Sequence, residues 1–410
     1  EQRNVKRAVV VGGGFIGLEM AENLVHRGID VTIVELLDQV MPPLDKEMAL
    51  PVQERLSQHG INLRLGEKVA GFAQNADGLQ VETDQGVIDT DLVILAIGVR
   101  PESDLAAAAG LELNQRGAIV VDEHMRTTDP SIYAVGDAIE VRNAIIDVAA
   151  MLPLAGPANR QGRTAAENIA GKNTRFRGVQ GTSVLGAFGL TVASTGLSEK
   201  ALQAAGISDY EKVRLHAGNH VGYYPGATTI ALKLVFRPSD GRVLGAQAVG
   251  EQGVDKRIDV IAMAIQLGAT VEDLAETELC YAPAFGAAKD PVNMAGMIAS
   301  NVRNGDLKIS HWENISASDY VLDVRPPAQY QECHTAGAAN IPLTELRDRL
   351  SELPAGKPVH VTCNVGQTAY FATRMLVQHG VDARCITGGE RSHISIAKSD
   401  RSPVSATCLS

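Results

Sequence analysis

The stretch KRAVVVGGGFIGLEMAENLVHRG, residues 6–28, decides how the chain is read. A β-branched apolar run drops into three consecutive glycines and continues with apolar residues at helical spacing. Gly12, Gly14 and Gly17 fall in the pattern G-x-G-x-x-G between a predicted strand and a predicted helix. Here Gly12 allows the tight turn, Gly14 lets a pyrophosphate approach the backbone, and Gly17 lets the helix lie close to the strand. The ligand phosphates would meet the N–H groups at the helix start, where Phe15, Ile16 and Glu19 follow the loop.

GIDVTIVE (28–35) predicts a second strand that ends at Glu35. An acid at that place accepts hydrogen bonds from a ribose 2′-hydroxyl and repels a 2′-phosphate, which favours NADH over NADPH. A solvent-facing glutamate at a strand end is the competing reading. A helix from about Leu44 to His59, polar alternating strands between Lys68 and Asp89, and DLVILAIG (91–98) complete a βαβ unit over residues 1–110.

The 410 residues exceed what one core serves and predict two to four domains in an α/β multidomain chain. The formal charge of -11, with no basic tract, speaks against nucleic acid as a partner. Five scattered cysteines without a CxxC pair predict reduced thiols in a cytoplasmic protein, with no disulfide framework and no metal site. No apolar run reaches the length of a membrane span, and no signal peptide is seen at the start.

Further on, TTDPSIYAVGDAIE (127–140) predicts an extended approach, a strand IYAVGD and an aspartate at its end. PLAGPANRQGRTAAENIAG (153–171) predicts a helix, and AIGVRP (96–101) closes the first unit. These segments resemble the pyridine nucleotide–disulfide oxidoreductases, in the branch with coenzyme A-disulfide reductase, NADH oxidase and persulfide reductase. The resemblance implies FAD and NAD(H) as cofactors. It places Asp137, with Ala138 beside it, against the flavin nucleotide, and Gly98 at the crossover from the NAD(H)-binding domain. Relatives carry an earlier glycine motif for FAD and a redox cysteine near it. This sequence has one such motif, and the cysteine nearest its start is Cys280. The expectation is therefore a chain lacking the front of its FAD domain, with residues 111–175 as a remnant that folds poorly alone. Gly156 stands where close relatives usually carry tryptophan.

Residues 176–304 read as strands followed by helices, with PSDG as a hairpin turn and a helix from about Val254 to Leu267. They resemble the family's dimerisation domain, which implies a homodimer. Tyr223 in GYYPGA and Tyr281 in CYAPAF match tyrosines that assist coenzyme A binding or activation in the family. A phenol can donate to a departing thiolate; packing of an interface is the plainer alternative. Cys280 is expected to be buried, and His216 and His220 are given no role.

Residues 305–396 resemble a rhodanese-like domain through DVR (323–325), HTAGAANIPL (334–343) and a strand ending at Cys363. A cysteine between a strand and a helix sits at the positive helix end, where N–H groups from Asn364 onward stabilise a thiolate or persulfide. The usual loop, C-x-x-G-x-R, has Thr368 in the arginine place here, so a fixed cation is missing. Cys385 reads as a strand-end core residue, and residues 397–410 as a disordered tail. The implied activity is FAD- and NAD(P)H-dependent reduction of coenzyme A disulfide or of coenzyme A or low-molecular-weight persulfides. Two alternatives stay open: a sulfurtransferase acting through Cys363 alone, and a non-catalytic NADH-binding or interaction protein.

Overall fold

A computed structural model describes residues 5–75, 78–398 and 406–408. The first unit is a parallel sheet of β1 (Arg7–Val11), β2 (Asp30–Glu35), β3 (Asn62–Leu65) and a fourth strand, Leu92–Leu95, in the order β3, β2, β1, fourth strand. Helices Phe15–His26 and Lys46–Gln58 connect the first three strands in turn. Val10 is in register with Ile33 on one side and Ile94 on the other. One face of β1 packs Ala8 and Val10 against Leu18 and Ala21. The other packs Val9 and Val11 against Val34 and Val81, the last from an antiparallel three-stranded sheet over Val69–Thr90. Burial on both faces is why β1 is a continuous apolar run instead of an alternating one.

Residues 111–180 gather around a small core of Ile119, Met125, Ile139, Val141, Ala165 and Val179. The strand expected at IYAVGD is not formed. The backbone makes an isolated bridge at Tyr133 and then a short 3-10 turn, Gly136–Ala138. An extended segment needs a neighbour along its length to satisfy its backbone groups, and among the described residues it pairs only at single bridges.

The middle domain is a five-stranded antiparallel sheet in the order Ser183–Ala187, Leu190–Gly196, Val243–Gly250, Thr229–Phe236, Glu211–Gly218. The helix Val254–Leu267 lies where the sequence places it, and Pro291–Arg303 packs beside it. The opposite sheet face, with Leu185, Val192 and Val249, shares a core with Leu18, Val52 and Leu56 of the first unit. The last domain is a parallel sheet in the order Ile309–Ser310, Ala383–Ile386, Val359–Thr362, Tyr320–Asp323, Ala339–Asn340.

A buried ionic cluster joins these parts. Lys233 is fully buried, and its ammonium donates to Asp45 (2.7 Å), to Glu47 (2.5 Å) and to Glu199. Arg214 bridges Glu47 and Glu313 at 2.9 and 2.6 Å, and Lys212 bridges Glu199 and Glu313 at 2.6 and 2.9 Å. Asp45 and Glu47 come from the first unit, Glu199 and the three cations from the middle domain, and Glu313 from the turn Trp312–Asn314 of the last domain. No sequence spacing announces this cluster.

Three expectations about the thiols and the tail need correction. Cys280 is exposed, because residues 277–290 run as surface turns instead of packing into the core. Cys333 is in a disulfide, whereas Cys280, Cys363 and Cys385 are free. The short strand Cys333–Thr335 pairs antiparallel with Ala406–Cys408, setting Cys333 opposite Cys408 in the register. That long-range pairing could not be read from cysteine spacing. Finally, Gly389–Lys398 is helical, so the segment expected to be a disordered tail begins inside a helix. Within that tail, residues 399–405, 409 and 410 lie outside the described residues.

Candidate functional site

The glycine loop has the geometry its spacing demands. Gly12 has φ +107°, and a Cβ there would lie 2.3 Å from the carbonyl oxygen of Ala96. A Cβ on Gly17 would lie 2.0 Å from the oxygen of Gly12, so only glycine lets helix and loop approach this closely. At Gly14 the same construction meets nothing within 4 Å, which leaves the backbone open to a ligand. Phe15 is half-buried, Ile16 in the first helical turn and Glu19 at the start of the second are exposed, and Gly98 is exposed just past the fourth strand.

Glu35 does not face solvent. It is 8% exposed; one carboxylate oxygen accepts from the Gly13 N–H at 2.6 Å and the other from the Leu37 N–H at 2.9 Å. The strand-end carboxylate is thus fixed to the glycine loop at the C-terminal edge of the parallel sheet. Ligands bind at this edge in open α/β folds. These residues fit a dinucleotide: an open N–H loop for phosphates and an oriented acceptor for ribose. Replacing Glu35 with alanine is expected to weaken NADH binding by roughly tenfold and to narrow the preference over NADPH, read by parallel fluorescence titrations. An unchanged preference would remove the residue from ribose selection.

Asp137 and Ala138 lie on the 3-10 turn of the neighbouring unit, with Asp137 exposed. The Gly136 N–H donates to Gln161 Oε1 at 2.8 Å, which ties the turn to the helix Ala155–Ile169. Gly156 lies in the first turn of that helix.

Tyr223 and Tyr281 are brought together. Val221 N–H donates to Gly286 O at 3.1 Å and fastens the two loops. A hydrogen bond between the phenols, and then their mutual charge repulsion, pushes the Tyr281 hydroxyl pKa up. Both rings are exposed, at 77% and 50%, with the exposed Cys280 adjoining. His216 donates to or accepts from Ser392 Oγ at 2.9 Å, and burial, with help from Arg391 and Arg214, lowers its pKa to about 3. The imidazole is neutral and joins two domains.

Cys363 follows the strand Val359–Thr362 and is 2% exposed. Its Sγ accepts from the Gly366 N–H at 3.2 Å. Gly366, at φ +95°, starts the helix Gln367–Gln378. The cysteine carbonyl accepts from Glu390 N–H at 2.8 Å, and Asn364 O accepts from Arg391 N–H at 3.0 Å, so the loop is held on both sides. Cys385 lies in the strand Ala383–Ile386 at 4% exposure, as its sequence setting suggests. Burial, and then the charge of Cys363, pushes its thiol pKa far up, so it stays protonated.

Below the loop is a polar layer to which sequence reasoning assigned no role. Asp323 and Arg325 are paired, Thr335 Oγ1 donates to Glu390 at 2.9 Å, and Trp312 stacks on His393 at 4.1 Å. DVR was legible as a landmark; the rest carries no local signal.

One chain thus carries a glycine loop of dinucleotide-binding geometry, two neighbouring exposed phenols and a buried thiol between a strand and a helix. Family models for the pyridine nucleotide-disulphide oxidoreductases match residues 1–162, for their dimerisation domain 185–291, and for a rhodanese-like domain 309–392. A coenzyme A disulfide reductase of Staphylococcus haemolyticus is 36% identical over 303 residues, which is 74% of this chain and 68% of that protein. The relative from Staphylococcus epidermidis is also 36% identical, with 65% of its length covered, so the chain spans about two thirds of these relatives. Among solved structures, reduced Bacillus anthracis CoADR-RHD superposes with a TM-score of 0.94 at 46% identity, over 97% of this chain and 72% of that one. A NAD-dependent persulfide reductase from A. fulgidus gives 0.87 at 38% identity, over 95% and 72%. The chain belongs to the pyridine nucleotide-disulphide oxidoreductase family, whose members use FAD and NAD(H). Among the described residues no helix is long and apolar enough to cross a membrane.

Proposed function

We propose that this chain serves FAD- and NAD(H)-dependent reduction of coenzyme A disulfide or of coenzyme A or other low-molecular-weight persulfides, as a homodimer, with Cys363 carrying sulfane sulfur. The observation that carries the reading is the Gly366 N–H contact on Cys363 Sγ at a helix start, on a chain that also holds the dinucleotide loop. The similarity to coenzyme A disulfide and persulfide reductases supports it.

Each residue has a defined task. The Gly12–Gly14 loop binds the pyrophosphate, with Phe15, Ile16 and Glu19 on the flanking helix, and Glu35 orients the ribose. Gly98 borders the same edge, and Asp137 with Ala138 would hold the flavin nucleotide. When bound, the two cofactors would supply hydride transfer from nicotinamide to flavin. Cys363 thiolate attacks the outer sulfur of a sulfane donor. The new S–S bond forms as the donor's breaks, and the donor leaves with the electron pair. The Gly366 N–H and the helix start stabilise sulfur anions before and after this step. An acceptor thiolate then takes the outer sulfur and regenerates Cys363 thiolate. When two electrons supplied by NADH cleave the S–S bond of a coenzyme A disulfide into two thiolates, Tyr281, with Tyr223 beside it, would donate a hydrogen bond to the departing thiolate.

Cys363→Ser is expected to reduce thiosulfate-to-thiol sulfur transfer by at least about a thousandfold, the loss of a covalent intermediate. NADH-induced fluorescence changes should be retained. Equal transfer by wild type and variant would end the carrier role.

A further inference from the structure

A cavity of about 240 Å³ lies between the middle and last domains, beside the Cys363 loop. One wall is a face of the helix Pro291–Arg303, where Met294, Met297, Ile298 and Asn301 stand at i, i+3, i+4 and i+7. The other is the start of the helix Gln367–Gln378, with Gln367, Tyr370 and Phe371 at i, i+3 and i+4. Asn301 Nδ2 donates to the Tyr370 hydroxyl at 3.4 Å and joins the two walls. From Met294 to Asn301 a helix rises about 10 Å, the length of one ring with a short substituent. Met297 and Phe371 stay 37% and 53% exposed, one on each wall. The charges around the cavity are one-sided. In a chain of formal charge -11, no aspartate or glutamate among the described residues borders it. Its cations are Arg214, whose charge Glu47 and Glu313 meet, and Lys289. Lys289 is exposed and has no hydrogen bond or ion pair among the described residues. Two apolar walls and one uncompensated cation select an amphipathic monoanion. Val365 and Gly366 also border the cavity, and the Gly366 N–H is the donor to Cys363 Sγ at 3.2 Å. A ligand here lies against the loop that holds the sulfur.

We propose that this interdomain cavity binds the organic part of the sulfane donor, and that the donor class is an aryl or short-chain alkyl thiosulfonate. The proposal rests on the reading of Cys363 as a sulfur carrier and names the substrate class of that site. The apolar group lies between Met297 and Phe371, and Lys289 faces the anionic head. Cys363 thiolate attacks the outer sulfur of R–SO₂–S⁻; the new S–S bond forms as the bond to the sulfonyl sulfur breaks. The electron pair leaves with the sulfinate R–SO₂⁻, and Cys363 holds the persulfide. Inorganic thiosulfate undergoes the same step, but it is a dianion with nothing to place against either apolar wall.

The test pairs binding with kinetics in the full chain. Toluene-4-sulfonate, which has the ring and the anionic head but no sulfane sulfur, should bind with a Kd of about 1 mM or tighter by calorimetry. Met297→Glu puts a like charge into the apolar wall at an exposed position and should weaken that binding at least about tenfold. The same variant should raise the ratio of the KM for toluene-4-thiosulfonate to that for thiosulfate by at least about tenfold. If Met297→Glu does not fold, Lys289→Gln, also at an exposed position, carries the same two readouts. No binding of toluene-4-sulfonate by wild type, or equal binding and an unmoved KM ratio in a folded variant, overturns the proposal. Binding that is intact while neither donor transfers sulfur would strike the carrier reading of Cys363, and with it the donor role, but not the anion site.

Discussion

Lys233→Met is expected to destabilise the protein by about 3–5 kcal/mol, the cost of breaking a buried ion pair from one side. The side chain is nearly isosteric along its stem, so lost volume contributes little. What remains is three carboxylates, Asp45, Glu47 and Glu199, at 0–5% exposure without the ammonium they surround. Because these acids come from two units, the variant should also open the seam between them, visible as faster proteolysis near residues 45–47. Burial alone would raise the pKa values of Asp45 and Glu47, but Lys233 overrides it and both lie below their ordinary 3.8 and 4.5. Glu313 is lowered likewise, against its own burial, by Arg214 and Lys212.

The sign of the pH dependence follows. Carboxylates with depressed folded-state values contribute stability that is fully present above their unfolded values and is lost as pH falls through the folded ones. Urea midpoints of wild type should therefore hold from neutral pH down to about 5 and fall steeply below about 4. The gap to Lys233→Met should narrow over that same acid range. A gap independent of pH would mean that packing, not charge, is what Lys233 contributes.

Gly17→Val is the second variant with a large expected effect. The position of a Cβ there is 2.0 Å from Gly12 O, a backbone atom that cannot rotate away. Either the helix Phe15–His26 moves off β1 or the loop opens. Each displaces the N–H groups that would hold the phosphates. NADH affinity should drop by more than about tenfold, over 1.4 kcal/mol. Thiosulfate sulfur transfer at Cys363 should be unaffected, since that loop belongs to another sheet. Full NADH binding by a folded variant would place the dinucleotide elsewhere.

Local chemistry made much of this protein legible in advance. G-x-G-x-x-G between a strand and a helix permits few backbone paths, and Gly12 and Gly17 follow the expected one. The helix at 254–267 and the hairpin turn at PSDG were equally plain, because periodicity and turn chemistry act over a few residues. Cys363 was findable for the same reason. Glu35 was placed correctly at its strand end, but its burial against Gly13 was not foreseeable, since that contact spans the turn of the whole unit.

The misses share one cause. IYAVGD has strand-forming residues, yet a strand is completed only by its neighbours. Cys280 looked apolar in context but lies on a surface loop, and the strand that carries Cys333 pairs with a segment more than seventy residues away.

By itself, then, the amino-acid sequence determined which segments could bind a dinucleotide, form the interface-type sheet and present a thiolate, because each depends on short-range spacing. Only the tertiary structure decided which charges serve them. Lys233 meets acids more than 180 residues away. Electrostatic energy depends on distance in space and on burial, and neither is written in the order of residues along the chain.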